Sequence, residues 1–268
     1  MTDRTDPIRI FIGTDDTQGV PTEVLKHSIL SRTDADVEFT ELCDLQTGLE
    51  HHFYTGFSFY RWGIPAFCNF TGRALYLDAD IVVLCDIREL WEMPLGAHSH
   101  LCRPRPPFRF RRWRIRRLGG AYTSVMLIDC ERARKWDFEA WCRRADDDPV
   151  FYKQVMACLP GSETARQRGD LPRAFNDLDD YAPNRTRILH YTDLRNQPWK
   201  KAGHRYEHVF RAALRAACKA GALDVQAVRD DVARGVIHDR MVGWCTEDAD
   251  SLPNSRHHRE VASATRRR

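Results

Sequence analysis

The sequence has no long apolar run, no CxxC pair, no leader-like start and no internal repeat, and each absence narrows what it encodes. No stretch reaches the ~20 apolar residues that a membrane-spanning helix needs. The start, MTDRTDPIRIFIG, is polar and then β-rich, without the charged-then-apolar layout of a signal peptide. A soluble protein of the cytoplasm is therefore expected. The nine cysteines (Cys43, Cys68, Cys85, Cys102, Cys130, Cys142, Cys158, Cys218 and Cys245) are odd in number. A zinc knuckle or a disulfide framework is not expected from them. Several lie in apolar runs, where a free thiol packs as a small hydrophobe, and a reducing compartment suits them.

Hydrophobic residues make up 43% of the 268 and aromatics 10%, enough for a sizeable core. The exception is 253–268, PNSRHHREVASATRRR, which reads as a frayed basic tail. The net charge of +3 conceals an uneven distribution. Arg103 to Arg117 reads RPRPPFRFRRWRIRR, eight arginines without one acid. The rest of the chain keeps 33 basic residues against 38 acidic ones, a balance of −5. The positive field is concentrated in one place. Phe108, Phe110, Trp113 and Ile115 interleave with those arginines. That pattern suits an anionic acceptor, a phospholipid surface or nucleic acid better than a plain solvated loop.

Ile8 to Ile12 reads as a first strand, and Pro21 opens a helix carrying Val24, Leu25, Ile29 and Leu30. Val37 to Leu42 reads as a second strand. Phe53, Phe57, Tyr60, Ile64 and Phe67 fall at steps of three and four, which predicts an amphipathic helix. Ala74 to Leu84, ALYLDADIVVL, is an apolar strand interrupted by Asp-Ala-Asp. Near-continuous apolar strands suit a parallel sheet covered on both faces. Thr123 to Ile128 and the shorter Ile188-Leu189 read as further strands, with a helical region from Ala133 to Leu159 between them. Beyond Trp199, Tyr206 to Ala217 and Val225 to Val232 have helical spacing. The expected class is α/β: a Rossmann-like, mixed and mostly parallel sheet flanked by helices, with a C-terminal helical extension.

Asp78 and Asp80, at i and i+2, project to one side of an extended or turning backbone. At the end of an interior strand they sit where open α/β sheets bind ligands. Two carboxylates this close repel unless a cation lies between them, and oxygen ligands suit magnesium or manganese. Such a cation can grip a diphosphate. The bland alternative is a polar turn between two strands.

The stretch SFYRWGIPAFCNFTGRALYLDADIVVLCDIRELW resembles the donor-binding segment of family 8 glycosyltransferases, which have the GT-A fold. The resemblance implies retaining transfer from a nucleotide sugar, most often a UDP-sugar, with manganese. It places Arg61 on the helix before the Asp-Ala-Asp strand, and Leu77, Asp78, Ala79 and Asp80 at the donor. ILHYTDLRNQPWK partly matches the family's late motif, making His190 the third metal ligand. Gln197 stands where the family has a lysine for the diphosphate, with Lys200 or Lys201 as substitutes for its charge. The loop Thr14, Asp15, Asp16, Thr17 and Gln18 would meet base and ribose; its other reading is a capped turn. TSVMLID resembles the strand under the sugar, with Tyr122 and Ser124 in place of the family's asparagine and glycine. The usual Asp-Gln-Asp has no clean counterpart. Asp146, Asp147 and Asp148 read as a solvated acidic run. Asn176, Asp177, Asp179 and Asp180 either meet acceptor hydroxyls or cap a turn.

The expected layout is a catalytic domain over 1–200, a packed helical extension over 201–252 and the tail over 253–268. The expected function is metal-dependent hexosyl transfer from a UDP-sugar to an unidentified acceptor, possible partners being an anionic glycan or a lipid at the inner face of the membrane. One rival is a nucleotidyltransferase, but Gly13-Thr14-Asp15-Asp16 is acidic where that class needs a glycine-rich basic loop. A nucleic-acid-binding protein built on Arg103–Arg117 leaves the Asp-Ala-Asp and His-Pro-Trp elements unexplained.

Overall fold

A computed structural model describes residues 6–44, 57–111, 114–117 and 119–246. The expected tail over 253–268, together with Phe53, Arg112 and Trp113, lies outside them. In chain order the elements are β1 (Ile8–Gly13), α1 (Gly19–Leu30), β2 (Val37–Glu41), α2 (Ile64–Phe67), β3 (Arg73–Asp78), β4 (Ile81–Val83), α3 (Arg88–Trp91), β5 (His100–Pro104), β6 (Phe108–Arg111), β7 (Arg114–Arg117) and β8 (Ala121–Asp129). There follow α4 (Phe138–Asp147), α5 (Pro149–Met156), β9 (Arg168–Asp170), β10 (Asp177–Leu178), β11 (Ile188–His190), α6 (Glu207–Lys219), α7 (Val225–Ala233) and α8 (Arg240–Thr246).

The main sheet has the order β2-β1-β3-β8-β5-β9. β8 runs antiparallel to both of its neighbours, while the remaining pairings are parallel. The sheet is thus mixed and mostly parallel. A second sheet, β10-β11-β4, adjoins the end of β3, and β6 and β7 form a separate hairpin.

Side-chain alternation explains why the strands read as unbroken apolar runs. Ile10, Ile12, Leu75, Leu77, Val125 and Leu127 enter one core. Their neighbours Phe11, Ala74, Tyr76, Met126 and Ile128 enter another on the opposite face. With both faces covered, the middles of these strands carry no charged residue, and the charged ones fall toward the strand ends. A third core joins α1, through Val20 and Val24, to Val82, Leu189, Tyr191 and Trp199, and to Phe210, Leu214, Val228 and Trp244 of the C-terminal helices.

The segment read as one amphipathic helix is broken up. A 3-10 turn covers Ser58–Gly63 and α2 is one short turn. Pro65 sits in the first turn of α2, where its missing N–H is not needed. A Cβ on Gly63 would come 2.5 Å from the Phe67 ring, so glycine permits the tight packing there. The acidic run before α5 has a structural use as well. The Asp148 side chain accepts from the backbone N–H groups of Val150 and Phe151, capping α5 ahead of Pro149.

Candidate active site

β1 and β3 run in register, Gly13 opposite Asp78. Both end at one edge, the edge at which α/β sheets present ligands. Ala79 N–H donates to the Gly13 carbonyl at 3.0 Å, which carries the β1–β3 pairing up to the edge where Asp78 and Asp80 lie. A Cβ on Gly13 would come 2.1 Å from the Tyr76 hydroxyl, so this position needs glycine. Leu77 and Ala79 have buried side chains, leaving their backbone alone to face a ligand.

Arg61 is buried and fully engaged. It donates to Asp78 Oδ1 at 3.1 Å, to Thr123 Oγ1 at 3.1 Å and to the Ser58 carbonyl at 2.7 Å. Its guanidinium lies 4.3 Å from the Tyr76 ring centroid, and the Tyr76 hydroxyl donates to Asp78 Oδ1. Burial raises the Asp78 pKa; Arg61 opposes this and Asp80 adds to it, for a net rise. Burial alone would lower the Arg61 pKa, but Tyr76 and Asp78 outweigh it and the guanidinium stays charged.

His190 ends β11 opposite Ile81 of β4, which brings it against Asp80. Its Nε2 lies 2.9 Å from Asp80 Oδ1. Its Nδ1 is 3.1 Å from Asn176 Oδ1, and the Asn176 amide nitrogen donates to Ser124 Oγ at 3.0 Å. That chain holds the proton on Nδ1 and turns Nε2 toward the carboxylates. Gln197, also buried, donates to Asp80 Oδ2 at 2.9 Å and to the Tyr191 carbonyl at 3.0 Å. Burial opposes an imidazolium at His190, but Asp80 outweighs it and the pKa is raised.

These residues fit a divalent cation. Asp78, Asp80 and His190 each offer a ligand atom, and the three lie within 4.8 Å of one another. Asp80 Oδ1 is buried and accepts no aligned hydrogen bond, while Asp80 Oδ2 accepts from Gln197. A metal ion would take the place of the proton between Asp80 and His190.

The other expected residues are distributed unevenly. Thr14 is buried, its hydroxyl 2.7 Å from that of Thr22. Asp15 accepts from the Thr17 N–H at 2.9 Å and hydroxyl at 2.6 Å, a local turn, and Gln18 precedes α1 without capping it through its side chain. Arg234 of the C-terminal region donates to the Asp16 carbonyl at 2.9 Å. Lys200 is exposed and makes no side-chain hydrogen bond among the described residues. Lys201 lines a separate cleft of about 360 Å³ with Asp179 and His204. The acidic cluster divides by role. Asn176 supports His190, Asp177 is buried against Arg173 and Thr186, Asp179 accepts from the Thr192 N–H, and Asp180 pairs with Arg173 and Arg185.

Beside Asp78 opens a cavity of about 470 Å³. Tyr122, Thr123 and Ser124 of β8 line it, with Tyr152 and Lys153 of α5, Arg61 and Arg105. Three residues of this centre escaped sequence reading, Tyr76, Tyr152 and Lys153, while Arg105 was read only as part of the Arg103–Arg117 segment. Tyr76 had a usable signal, since it sits two residues before Asp78 on the same side of β3.

The family model of glycosyl transferase family 8 matches residues 21–124. Protein CDI of Arabidopsis thaliana is 29% identical over 104 residues, 36% of this chain and 40% of that protein. The match thus spans less than half of that relative. Among solved structures, the glycosyltransferase GlyE of Streptococcus pneumoniae TIGR4 superposes with a TM-score of 0.61 at 15% identity, over 87% of this chain and 65% of that one. The galactosyltransferase LgtC, solved with donor and acceptor sugar analogs, gives 0.53 at 14% identity, over 77% and 95%. The chain resembles family 8 glycosyltransferases and has the GT-A fold that its motifs implied.

Proposed function

We propose that this chain is a metal-dependent, retaining glycosyltransferase that moves a hexose-type sugar from a nucleotide diphosphate donor, with UDP as the nucleotide. The observation that carries the reading is the cluster of Asp78, Asp80 and His190, with one buried carboxylate oxygen that accepts no aligned hydrogen bond. Manganese or magnesium held there supplies positive charge beside the departing diphosphate. Arg61 and Tyr76 fix the Asp78 carboxylate, Asn176 fixes the His190 ring, and Gln197 fixes Asp80. In this reading the Thr14–Gln18 loop holds base and ribose, the sugar enters the cavity over Ser124, and Lys200 is the nearest exposed cation after the Gln197 turn.

Retention follows from the family resemblance. Asp78 is the one carboxylate among the described residues lining the cavity, and Arg61 and Tyr76 already hold it. With no second carboxylate to act as a nucleophile there, front-face transfer is favoured over double displacement. Residues 1–200 serve as the catalytic unit, and the helices over 201–252 as an extension sharing the third core. No described helix is long and apolar enough to cross a membrane. The Arg103–Arg117 segment is assigned to an anionic acceptor, a glycan or a lipid at the inner membrane face. Its hairpin pairs Arg109 with Arg116 and Arg111 with Arg114 in register, and eight positive charges within fifteen residues of sequence suit an anionic partner.

Titration calorimetry of UDP with manganese tests the reading. The parental protein is expected to bind both together, and Asp80→Asn to lose manganese-dependent binding with its fold intact. Equal affinity in the variant would overturn the assignment.

A further inference from the structure

The cavity beside Asp78 carries more positive charge than the proposed donor chemistry uses. Its charged lining residues are Arg61, Asp78, Arg105 and Lys153. Arg61 and Asp78 neutralise one another. Arg105 and Lys153 have no carboxylate partner among the described residues. Arg88, Arg173, Arg185, Arg187 and Arg234, by comparison, each meet an acid. Arg103, close to Arg105 on the same strand end, donates to the Asn176 carbonyl.

Arg105 is also unsatisfied in a specific way. Its guanidinium lies 4.9 Å from the Tyr122 ring centroid, yet its Nε is shielded from water and donates to nothing. A shielded donor without an acceptor is costly, and an oxyanion arriving in the cavity would relieve it. The backbone holds Arg105 at the cavity rim, since its N–H donates to the Gly120 carbonyl at 2.9 Å. Lys153 projects from α5, whose cap and proline fix its start. Lys153 thus sits on a capped helix, and Arg105 follows the end of β5 with its backbone tied to Gly120.

We infer that this cavity is a subsite for a carboxylate borne by a sugar, a uronosyl unit, with Arg105 and Lys153 as its charge-recognising residues. The guanidinium fork suits a planar carboxylate, and the lysine adds a point charge. About 470 Å³ is within the range of small-molecule sites, and the tyrosines add hydroxyl-bearing walls to it. The carboxylate has two possible sources, the transferred unit of the donor and the terminal unit of the acceptor. The inference rests on the glycosyltransferase reading for its substrate class, but the site itself stands on the charges lining the cavity.

Two arms distinguish the sources. In the donor arm, UDP-glucuronate competes with UDP-glucose for the manganese-loaded protein. In the acceptor arm, free glucuronate, galacturonate, glucose and inorganic phosphate are titrated with and without UDP and manganese. At least tenfold preference for the charged sugar is expected in one arm. Arg105→Gln with Lys153→Gln should bring that preference to parity while UDP and manganese bind as before. Arg105→Lys with Lys153→Arg, which preserves the charge, should retain most of it and guards against loss by misfolding. Equal binding of charged and neutral sugars in both arms would overturn the inference, as would capture of phosphate without discrimination between sugars. The free-sugar titration needs no nucleotide. Loss of UDP binding in the parental protein would therefore refute the donor reading and leave this subsite tested on its own.

Discussion

Asp80 and His190 share one buried space, and what occupies it depends on pH. Below about pH 6.5, the ordinary histidine value, His190 is protonated in folded and unfolded chains alike, and its pairing with Asp80 is fully present. The folded pKa is raised, so that contribution persists to higher pH and is lost as pH rises through the folded value. Metal-free protein should therefore lose stability from this pair on going from pH 6 to pH 8. Manganese affinity should move the other way, because a metal needs the neutral ring. Thermal unfolding with chelator and with manganese at the two pH values checks both signs; parallel trends would refute the shared site. Asn176 acts through His190, so Asn176→Ala should weaken manganese binding roughly ten- to a hundredfold with little change in fold. Calorimetric manganese affinity measures it, and an unchanged value would make Asn176 a packing residue. The two carboxylates stood out in the sequence because they interrupt an apolar run where an unpaired charge is costly, whereas His190 stood out only through its match to the family's late motif. Asn176 did not, since it sat in an acidic cluster and its partner lies 14 residues on. Gln197 read as a missing lysine; the structure shows its amide spent on Asp80.

Among the elements, β8 joins the site to the basic hairpin. It floors the cavity with Tyr122, Thr123 and Ser124, and Thr123 Oγ1 ties it to α5 through the Met156 carbonyl at 2.9 Å. At its start Gly120 has φ of +73°, and a Cβ there would fall 2.1 Å from the Ala157 carbonyl oxygen. Gly120→Ala therefore combines a strained backbone with a backbone clash. The expected cost is about 1–3 kcal/mol, seen as a fall of several degrees in Tm for a chain of this size. An unchanged Tm would mean the junction of β8 and α5 yields easily. The existence of β8 was legible from TSVMLI, but its antiparallel direction was not. A strand covered on both faces has the same apolar pattern whichever way it runs. Of the helix expected from Phe53 to Phe67, the described part is helical from Ser58 to Phe67, but as a 3-10 stretch running into a short α-turn, a difference that spacing alone does not register.

At the scale of the whole molecule, charge and packing are separated in space. The C-terminal helices close the third core over α1, and Arg234 joins them to the loop at Asp16, so that side of the site is built into the fold. The arginine segment over 103–117 holds eight positive charges in a chain whose remainder is net negative. Such an uneven charge steers an anionic partner toward the cavity, which Arg105 of the segment lines. If that is its use, removing charge should harm partner capture and spare the donor site. Replacing Arg111, Arg112, Arg114 and Arg116 with glutamine keeps polarity and length, and each lost contact at an anionic surface is worth about 1 kcal/mol. Salt should mimic the substitution, because exposed charges are screened beyond roughly 10 Å at 0.1 M ionic strength. Two readouts are compared: slow hydrolysis of UDP-sugar without acceptor, and binding to phosphatidylserine vesicles or to polygalacturonate. Hydrolysis is expected to persist and binding to fall, with the choice of surface separating lipid from glycan. Unchanged binding to both would make the segment a solvated hairpin. Lost hydrolysis would place its arginines at the donor diphosphate, supplying the charge that Gln197 does not.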